Sequence, residues 1–241
     1  MTIKDLSEEQ KKLRKRVLEI IYQGNTTHIG SCLTMVDIIE AIYSIKKKNE
    51  KFILSNGHAG VALYVILEKH GFLKNPSIDK LFVHPDRDSK KGIDLSTGSL
   101  GQGLPVAVGM ALANRGKKVY CSISDGECME GSIYEALRVM VENNIVNLIT
   151  IVNFNNYAAY RKINLDDLVR IFKGFGLKVI LVDGHNLENL KKVIRSKHIR
   201  PTIIVAKTKV NQLPFLQGID AHYHKMTEAD YQLALKKWSK N

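Results

Sequence analysis

The sequence predicts an α/β fold: a doubly wound, mostly parallel sheet with helices on both faces. Short apolar runs alternate with longer segments of helical period along the whole chain. The later runs are β-branched and continuous, not alternating, as strands buried on both faces of a parallel sheet are. Repeated strand–helix–strand units then select the doubly wound arrangement, in which ligands bind outside the carboxyl ends of the strands.

Taken in order, 3.6-residue apolar spacing predicts helices over 6–23 and 35–46. The run FIL (52–54) is the first strand, followed by helices over 58–71 and 101–115. The strand VYCSI (119–123) leads through an acidic turn into a helix over 130–143, and NLITIV (147–152) is the next strand. A helix over 164–174, the strand KVILV (178–182), a helix over 186–197, the strand TIIVA (202–206) and a helix over 227–239 complete the order. The segments that leave the strands are SNGHAG (55–60), SDGECMEG (124–131), NFNNYAAY (153–160), DGHNLENL (183–190) and KTKVNQ (207–212). Their Gly, Asn, Asp and His content marks them as the place for chemistry.

A chain of 241 residues has room for one large α/β domain or two small ones. It contains no repeat, low-complexity tract or linker, so residues 1–241 are expected to form a single domain. No apolar run approaches the roughly 20 residues a membrane span needs, so no membrane association is expected. The charged, helical N-terminal segment lacks the apolar core of a signal peptide, which gives a cytoplasmic expectation. Cys32, Cys121 and Cys128 have no metal-ligand spacing and are expected to be reduced thiols. The net charge of +12 raises nucleic-acid binding, but the lysines are scattered over helices, without an Arg-rich arm, zinc-finger spacing or a stacking motif. No nucleic-acid partner is expected. Part of the charge suits a phosphorylated substrate or an acidic partner subunit.

An acidic turn such as SDGECMEG commonly does no more than cap a helix. Its neighbour makes the difference. Parallel strands put SDGE and NFNNYAAY on the same rim, where Asp125 offers a carboxylate oxygen and Asn155 an amide oxygen, with a backbone carbonyl nearby. A sparse all-oxygen set suits Mg²⁺ or Ca²⁺ and is poor for zinc. Gly126 lets the backbone approach a phosphate, and the helix that follows favours an anion. The pair therefore reads as a clamp for a diphosphate held through a metal.

SDGECMEGSIYEAL followed by NLITIVNFNN resembles the thiamine diphosphate signature, in the GDG…MEG…EA version of the transketolase family. On that resemblance Asp125, Asn155 and the carbonyl of Tyr157 ligate the metal, and Gly126 contacts the diphosphate. Further matches keep the family's order. GNTTHIGSCLTMVDIIEAIY (24–43) is similar to SGHxGxxLxxxDI, with His28 at the motif histidine, and FILSNGHAGVALY (52–64) to LSNGHxxxxLY, with His58 against the cofactor. His84 in HP and STGSLGQGLPVAVGMALA (96–113) resemble HPE…TTGPLGQGxxxAVGMA, so Gly98, Ser99 and Leu100 line the cofactor and His84 faces the substrate. AHYHKMTEADY resembles WHxxxPxxEEY, which makes His222 the active-site histidine and cofactor neighbour, with His224 as its rival. Glu127 is counted with the cofactor-binding residues, although Glu127 and Glu130 also suit ordering the loop or facing a partner.

The resemblance implies a transfer of a two-carbon ketol unit from a ketose to an aldose, with His28, His84 and His222 serving proton transfers and hydrogen bonds to substrate hydroxyls. It extends over the diphosphate-binding domain alone. The implied partner is a separately encoded C-terminal transketolase subunit with the pyrimidine-binding domain, the two assembling into a heterotetramer. Ser124 in place of the first glycine, THIG for GHPG, NFNN for a more acidic pattern and the glycine-poor KTKVNQ are departures from the family. They keep three alternatives open: a split enzyme acting on a 2-oxo acid, one acting on an unusual sugar, or a non-catalytic cofactor-binding subunit. Generic nucleotide binding has no G-x-G-x-x-G after the first strand to support it.

Overall fold

The computed structural model of the chain describes residues 6–158 and 161–239, so the last two residues of the segment 153–160 lie outside the described residues. Strands β1 (Lys51–Leu54), β2 (Val119–Ser124), β3 (Leu148–Phe154), β4 (Lys178–Asp183) and β5 (Thr202–Lys207) form one sheet in the order β1-β2-β3-β5-β4. Every pairing is parallel, with Cys121 opposite Thr150 and Thr150 opposite Ile203 across the centre. The helices are α1 (Glu8–Gln23), α2 (Ile29–Tyr43), α3 (Gly60–Lys69), α4 (Ile78–Leu81), α5 (Gly103–Ala113), α6 (Gly131–Glu142), α7 (Leu165–Gly174), α8 (Leu187–Arg195) and α9 (Glu228–Ser239). The doubly wound expectation holds. None of the helices among the described residues is long and apolar enough to cross a membrane.

Side chains of successive strand residues point to opposite faces, and the core divides accordingly. Phe52, Leu54, Tyr120, Ile149, Ile151 and Ile204 pack with α1, α2, α3, α8 and α9. Ile53, Cys121, Ile123, Val152, Ile203 and Val205 pack with α5, α6 and α7. β2, β3 and β5 are buried on both faces, while β4 at the edge is partly exposed. All three cysteines are free and buried.

Local chemistry fixes several helix starts. Ser7 and Gln10 form a reciprocal capping box at α1, and the Asn164 side chain accepts from the amides of Asp166 and Asp167 at α7. Asn186 caps α8 through the Asn189 amide. The largest departure from the sequence expectation is α2, which begins at Ile29 and not near 35. Every residue of α2 is buried, so no polar face gives its first turns a readable period. Its N-cap, His28, has φ of 67°, a left-handed conformation that residues with a Cβ seldom adopt.

One buried ion pair ties the helical layer to the far strands. Arg14 of α1 and Asp37 of α2 are both fully buried and meet at 2.5 Å. His185, after β4, donates from Nδ1 to Asp37 at 2.9 Å, while its Nε2 accepts from the amide of Lys209 after β5 at 3.0 Å. Gln212 accepts from Arg14 Nε and donates to the carbonyls of Leu33 and Lys209. The segment after β5 is thus anchored to α1 and α2, although it lacks the family's glycines. Burial raises the Asp37 pKa, but the Arg14 charge and the His185 hydrogen bond outweigh it and bring it down to about 2. Removing one partner of a buried pair costs about 3–5 kcal/mol. Asp37→Ala should lower unfolding stability in urea by that amount at neutral pH; a loss below about 1 kcal/mol would contradict the assignment. A carboxylate whose pKa is depressed stabilises above its unfolded value, so the difference from wild type should shrink as pH falls from about 4 toward 2.

Candidate active site

The carboxyl ends of β1, β2, β3 and β5 open into a cleft of about 350 Å³. Asp125 and Gly126 follow β2, and Asn155 and Tyr157 follow β3. Asp125 Oδ2 accepts from the Asn155 amide at 2.9 Å, and its Oδ1 accepts from the Gly126 amide at 3.0 Å. The two loops are therefore joined directly. Asn155 Oδ1 accepts from the Tyr157 amide at 3.0 Å, a local turn that folds the segment back over the rim. A Cβ on Gly126 would meet nothing closer than 3.4 Å, and its φ of −61° is ordinary. The fold itself does not require glycine there. A group approaching from the cleft would.

Ser124, where the family has glycine, also lines the cleft. Its Oγ accepts from the Glu127 amide at 3.2 Å, and its own amide donates to Glu127 Oε2 at 3.0 Å. The serine closes the turn and leaves Asp125 in place.

Four imidazoles converge on the same cleft. His28 lies 4.6 Å from His222, 5.5 Å from His58 and 6.0 Å from His84, measured between ring centroids. The His28 amide donates to the carbonyl of His222 at 3.2 Å, linking the start of α2 to the segment before α9. Burial, with neighbouring imidazoles adding, lowers the His28 pKa to about 4 and that of His58 to about 3, and burial also lowers that of His222. His28 and His58 are thus neutral near pH 7. Among the described residues His28 Nδ1 is buried without a hydrogen-bond partner, so a polar group entering the cleft would satisfy it. His224 instead reaches Asp230 at 3.1 Å and stacks on Phe215, outside the cleft lining. Of the two rivals, His222 faces the cleft.

Gly98 and Leu100 line the cleft with these groups, but Ser99 and Glu127 do not. Glu127 is fully buried beneath it: Oε1 accepts from Ser55 Oγ at 2.6 Å and from the Gly101 amide at 3.0 Å. Gly101 has φ of 81°, a conformation that glycine permits and that presents its amide to Glu127. Cleft residues that the sequence did not single out include Ser31, Asn153, Val210, Ile219 and Tyr223. Asn153 bridges Thr34 and Thr208 with its amide group, so it fixes β3 between α2 and the segment after β5. The loop NFNN signalled it, but Asn153 is the last but one residue of the strand and reads there as a sheet residue.

The donor set can be judged on its chemistry. Burial raises the Asp125 pKa to about 7, against four backbone hydrogen bonds that lower it, because no cationic side chain offsets the buried charge. A cation at Asp125 and the Asn155 amide oxygen would supply that offset. The described residues contain no group of three or more His, Cys, Asp or Glu placed to hold a metal, so any ion here relies on mixed oxygen donors.

The sequence matches the family described as transketolase, thiamine diphosphate binding domain, over residues 7–241. It is 30% identical over 269 aligned positions to a subunit of the apulose-4-phosphate transketolase of Phocaeicola vulgatus, covering 99% of this chain and 95% of that one. Identity to the 6-deoxy-6-sulfo-D-fructose transketolase subunit SqwG of Clostridium sp. (strain MSTE9) is also 30%, over 98% of this chain and 97% of the relative. Human transketolase is 30% identical over 84% of this chain, which spans only 37% of its length. The crystal structure of transketolase from Campylobacter jejuni superimposes with a TM-score of 0.84 at 26% identity, over 97% of this chain and 43% of that one. By the family match, the identity to two subunits that align with it nearly end to end and the shared fold, the chain belongs to the transketolase family, as an N-terminal subunit carrying the thiamine diphosphate-binding domain.

Proposed function

We propose that this chain is the diphosphate-binding half of a two-chain transketolase that moves a two-carbon ketol unit from a ketose phosphate to an aldose. The observation that carries the proposal is the meeting of the joined Asp125–Asn155 loops with His28, His58, His84 and His222 in one cleft. Asp125, Asn155 and the Tyr157 carbonyl would hold Mg²⁺ or Ca²⁺, which in turn would hold the diphosphate beside Gly126. His58, Gly98 and Leu100 would border the cofactor, while Ser99 is exposed outside the cleft lining. When bound, thiamine diphosphate supplies a nucleophilic carbon and an electron sink for breaking a carbon–carbon bond beside a carbonyl. His28 and His58 are neutral, so each can donate one hydrogen bond and accept another from substrate hydroxyls without carrying charge into the cleft. His84 and His222, nearer solvent, would exchange protons with those hydroxyls.

Residues 1–241 would act as one domain in the cytoplasm, completed by a separately encoded C-terminal subunit in a heterotetramer. The relatives that this chain covers nearly end to end are named for apulose-4-phosphate and 6-deoxy-6-sulfo-D-fructose, whereas it spans only 37% of human transketolase. That supports an unusual anionic sugar, a phosphate or a sulfonate, as the substrate of this chain too.

Purified chain mixed with its partner should transfer ketol units only when both are present. Turnover by the chain alone would overturn the two-chain reading. In the complex, Asp125→Ala should weaken metal-dependent cofactor binding at least about 100-fold, the scale of losing a charged ligand contact of about 3 kcal/mol; unchanged affinity would refute the ligand assignment. NMR titration should find His28 and His58 neutral down to about pH 5, whereas midpoints near 6.5 would contradict their burial. Because their folded pKa values lie below the unfolded value, the unfolded chain takes up protons first. Stability should therefore fall as pH drops below about 6.5.

A further inference from the structure

The outer part of the cleft carries a side chain that neither the fold nor the chemistry above employs. Tyr223 follows His222 and lines the cleft, yet it is 63% exposed. Its ring stands edge-on to His222, with 4.6 Å between centroids and 86° between planes, and lies 5.9 Å from His28. Five other tyrosines, at 22, 43, 64, 120 and 134, donate their hydroxyls to partners within the chain. The Tyr223 hydroxyl has none among the described residues.

A ring left mostly in water contributes little to folding, since the hydrophobic gain scales with the area buried. The neighbours of Tyr223 are nevertheless imidazoles of the site. His28 and His58 sit deeper, and Tyr223 stands at the solvent end of the same cluster. Ile219, from the same segment, and Val210 add apolar surface to the cleft lining. An aromatic body with a polar tip suits a partner that is apolar along its carbon–hydrogen faces and polar at its edges. A sugar chain has that character. A ketose whose carbonyl end lay among the histidines could run outward past Tyr223.

We propose that Tyr223 selects the sugar. Its ring packs against the carbon chain beyond the reacting end, and its hydroxyl donates a hydrogen bond to an oxygen there. This rests on the ketol-transfer reading, and it assigns discrimination among sugars to a residue outside the metal–diphosphate clamp.

The test compares the assembled two-chain enzyme with Tyr223→Phe and Tyr223→Ala on a four-carbon ketose and a six-carbon ketose phosphate. The readout is the ratio of kcat/KM for the long donor to that for the short one. Tyr223→Ala should lower that ratio about tenfold or more, chiefly through KM for the long donor. Tyr223→Phe, which keeps the ring and loses one hydrogen bond, should lower it about threefold to tenfold. An unchanged ratio with equal losses on both donors would overturn the proposal, since a merely structural residue would act that way. So would weaker assembly with the partner at an unchanged ratio, which would make Tyr223 an interface residue. If the unmodified complex turns over neither ketose, the ketol-transfer reading fails separately. The same long-to-short ratio, read from equilibrium binding of the two sugars by calorimetry, then decides the role of Tyr223.

Discussion

The buried carboxylate of Glu127 accepts hydrogen bonds from three chain segments that are far apart in sequence: Ser55 after β1, Gly101 before α5 and Ser124 at the end of β2. Ser55 Oγ passes the connection on by accepting from the Gly103 amide at 3.1 Å. Each of these segments supplies part of the cleft, through His58, through Gly98 and Leu100, and through Asp125 and Gly126. Burial raises the Glu127 pKa while these three hydrogen bonds lower it, and a buried polar network of this kind specifies geometry when every member is satisfied and costs heavily when one is removed. Of the two roles the sequence offered Glu127, these bonds fit ordering of the loops: it lies one layer below the cleft and holds the rim together.

Above that layer the electrostatics are complementary. The imidazoles of His28 and His58 are kept neutral by burial, and Asp125 carries a buried carboxyl without a cationic side chain beside it. Positive charge is therefore withheld from the part of the cleft where a carbonyl and hydroxyls would lie. It is wanted at Asp125 and Asn155, where a divalent ion would serve. The chain's surplus of basic residues is spread over its helices and is not gathered into this cleft.

Much of this was legible in the sequence. The strands were readable because β2, β3 and β5 are buried on both faces and so run as unbroken apolar stretches. The Asp125–Asn155 pairing followed from two adjacent parallel strands ending in polar loops, and the structure joins those loops by a direct hydrogen bond. The start of α2 was not legible, because a helix buried all round has no polar face and its first turn depends on a left-handed His28. For Glu127 the sequence left two roles open, cofactor contact and ordering of the loop, since a carboxylate in a strand-to-helix turn has the same spacing whether it points up at a ligand or down into the rim. The Arg14–Asp37–His185 network joins residues up to 171 positions apart, and no local pattern announces it. Tyr223 was hidden by its neighbour, because the motif drew attention to the histidine before it.

The dependence of the cleft on Glu127 is tested most directly by the cofactor dissociation constant of the two-chain complex carrying Glu127→Gln. The glutamine amide presents N–H to a site lined with donors, so at least one of the three hydrogen bonds must break at nearly unchanged side-chain volume. Losing one bond to a charged acceptor corresponds to about 1.5–3 kcal/mol, and the account predicts thiamine diphosphate binding weaker by at least about tenfold. A complex that still assembles with wild-type affinity for its partner and binds the cofactor as tightly as the unmodified enzyme would contradict it.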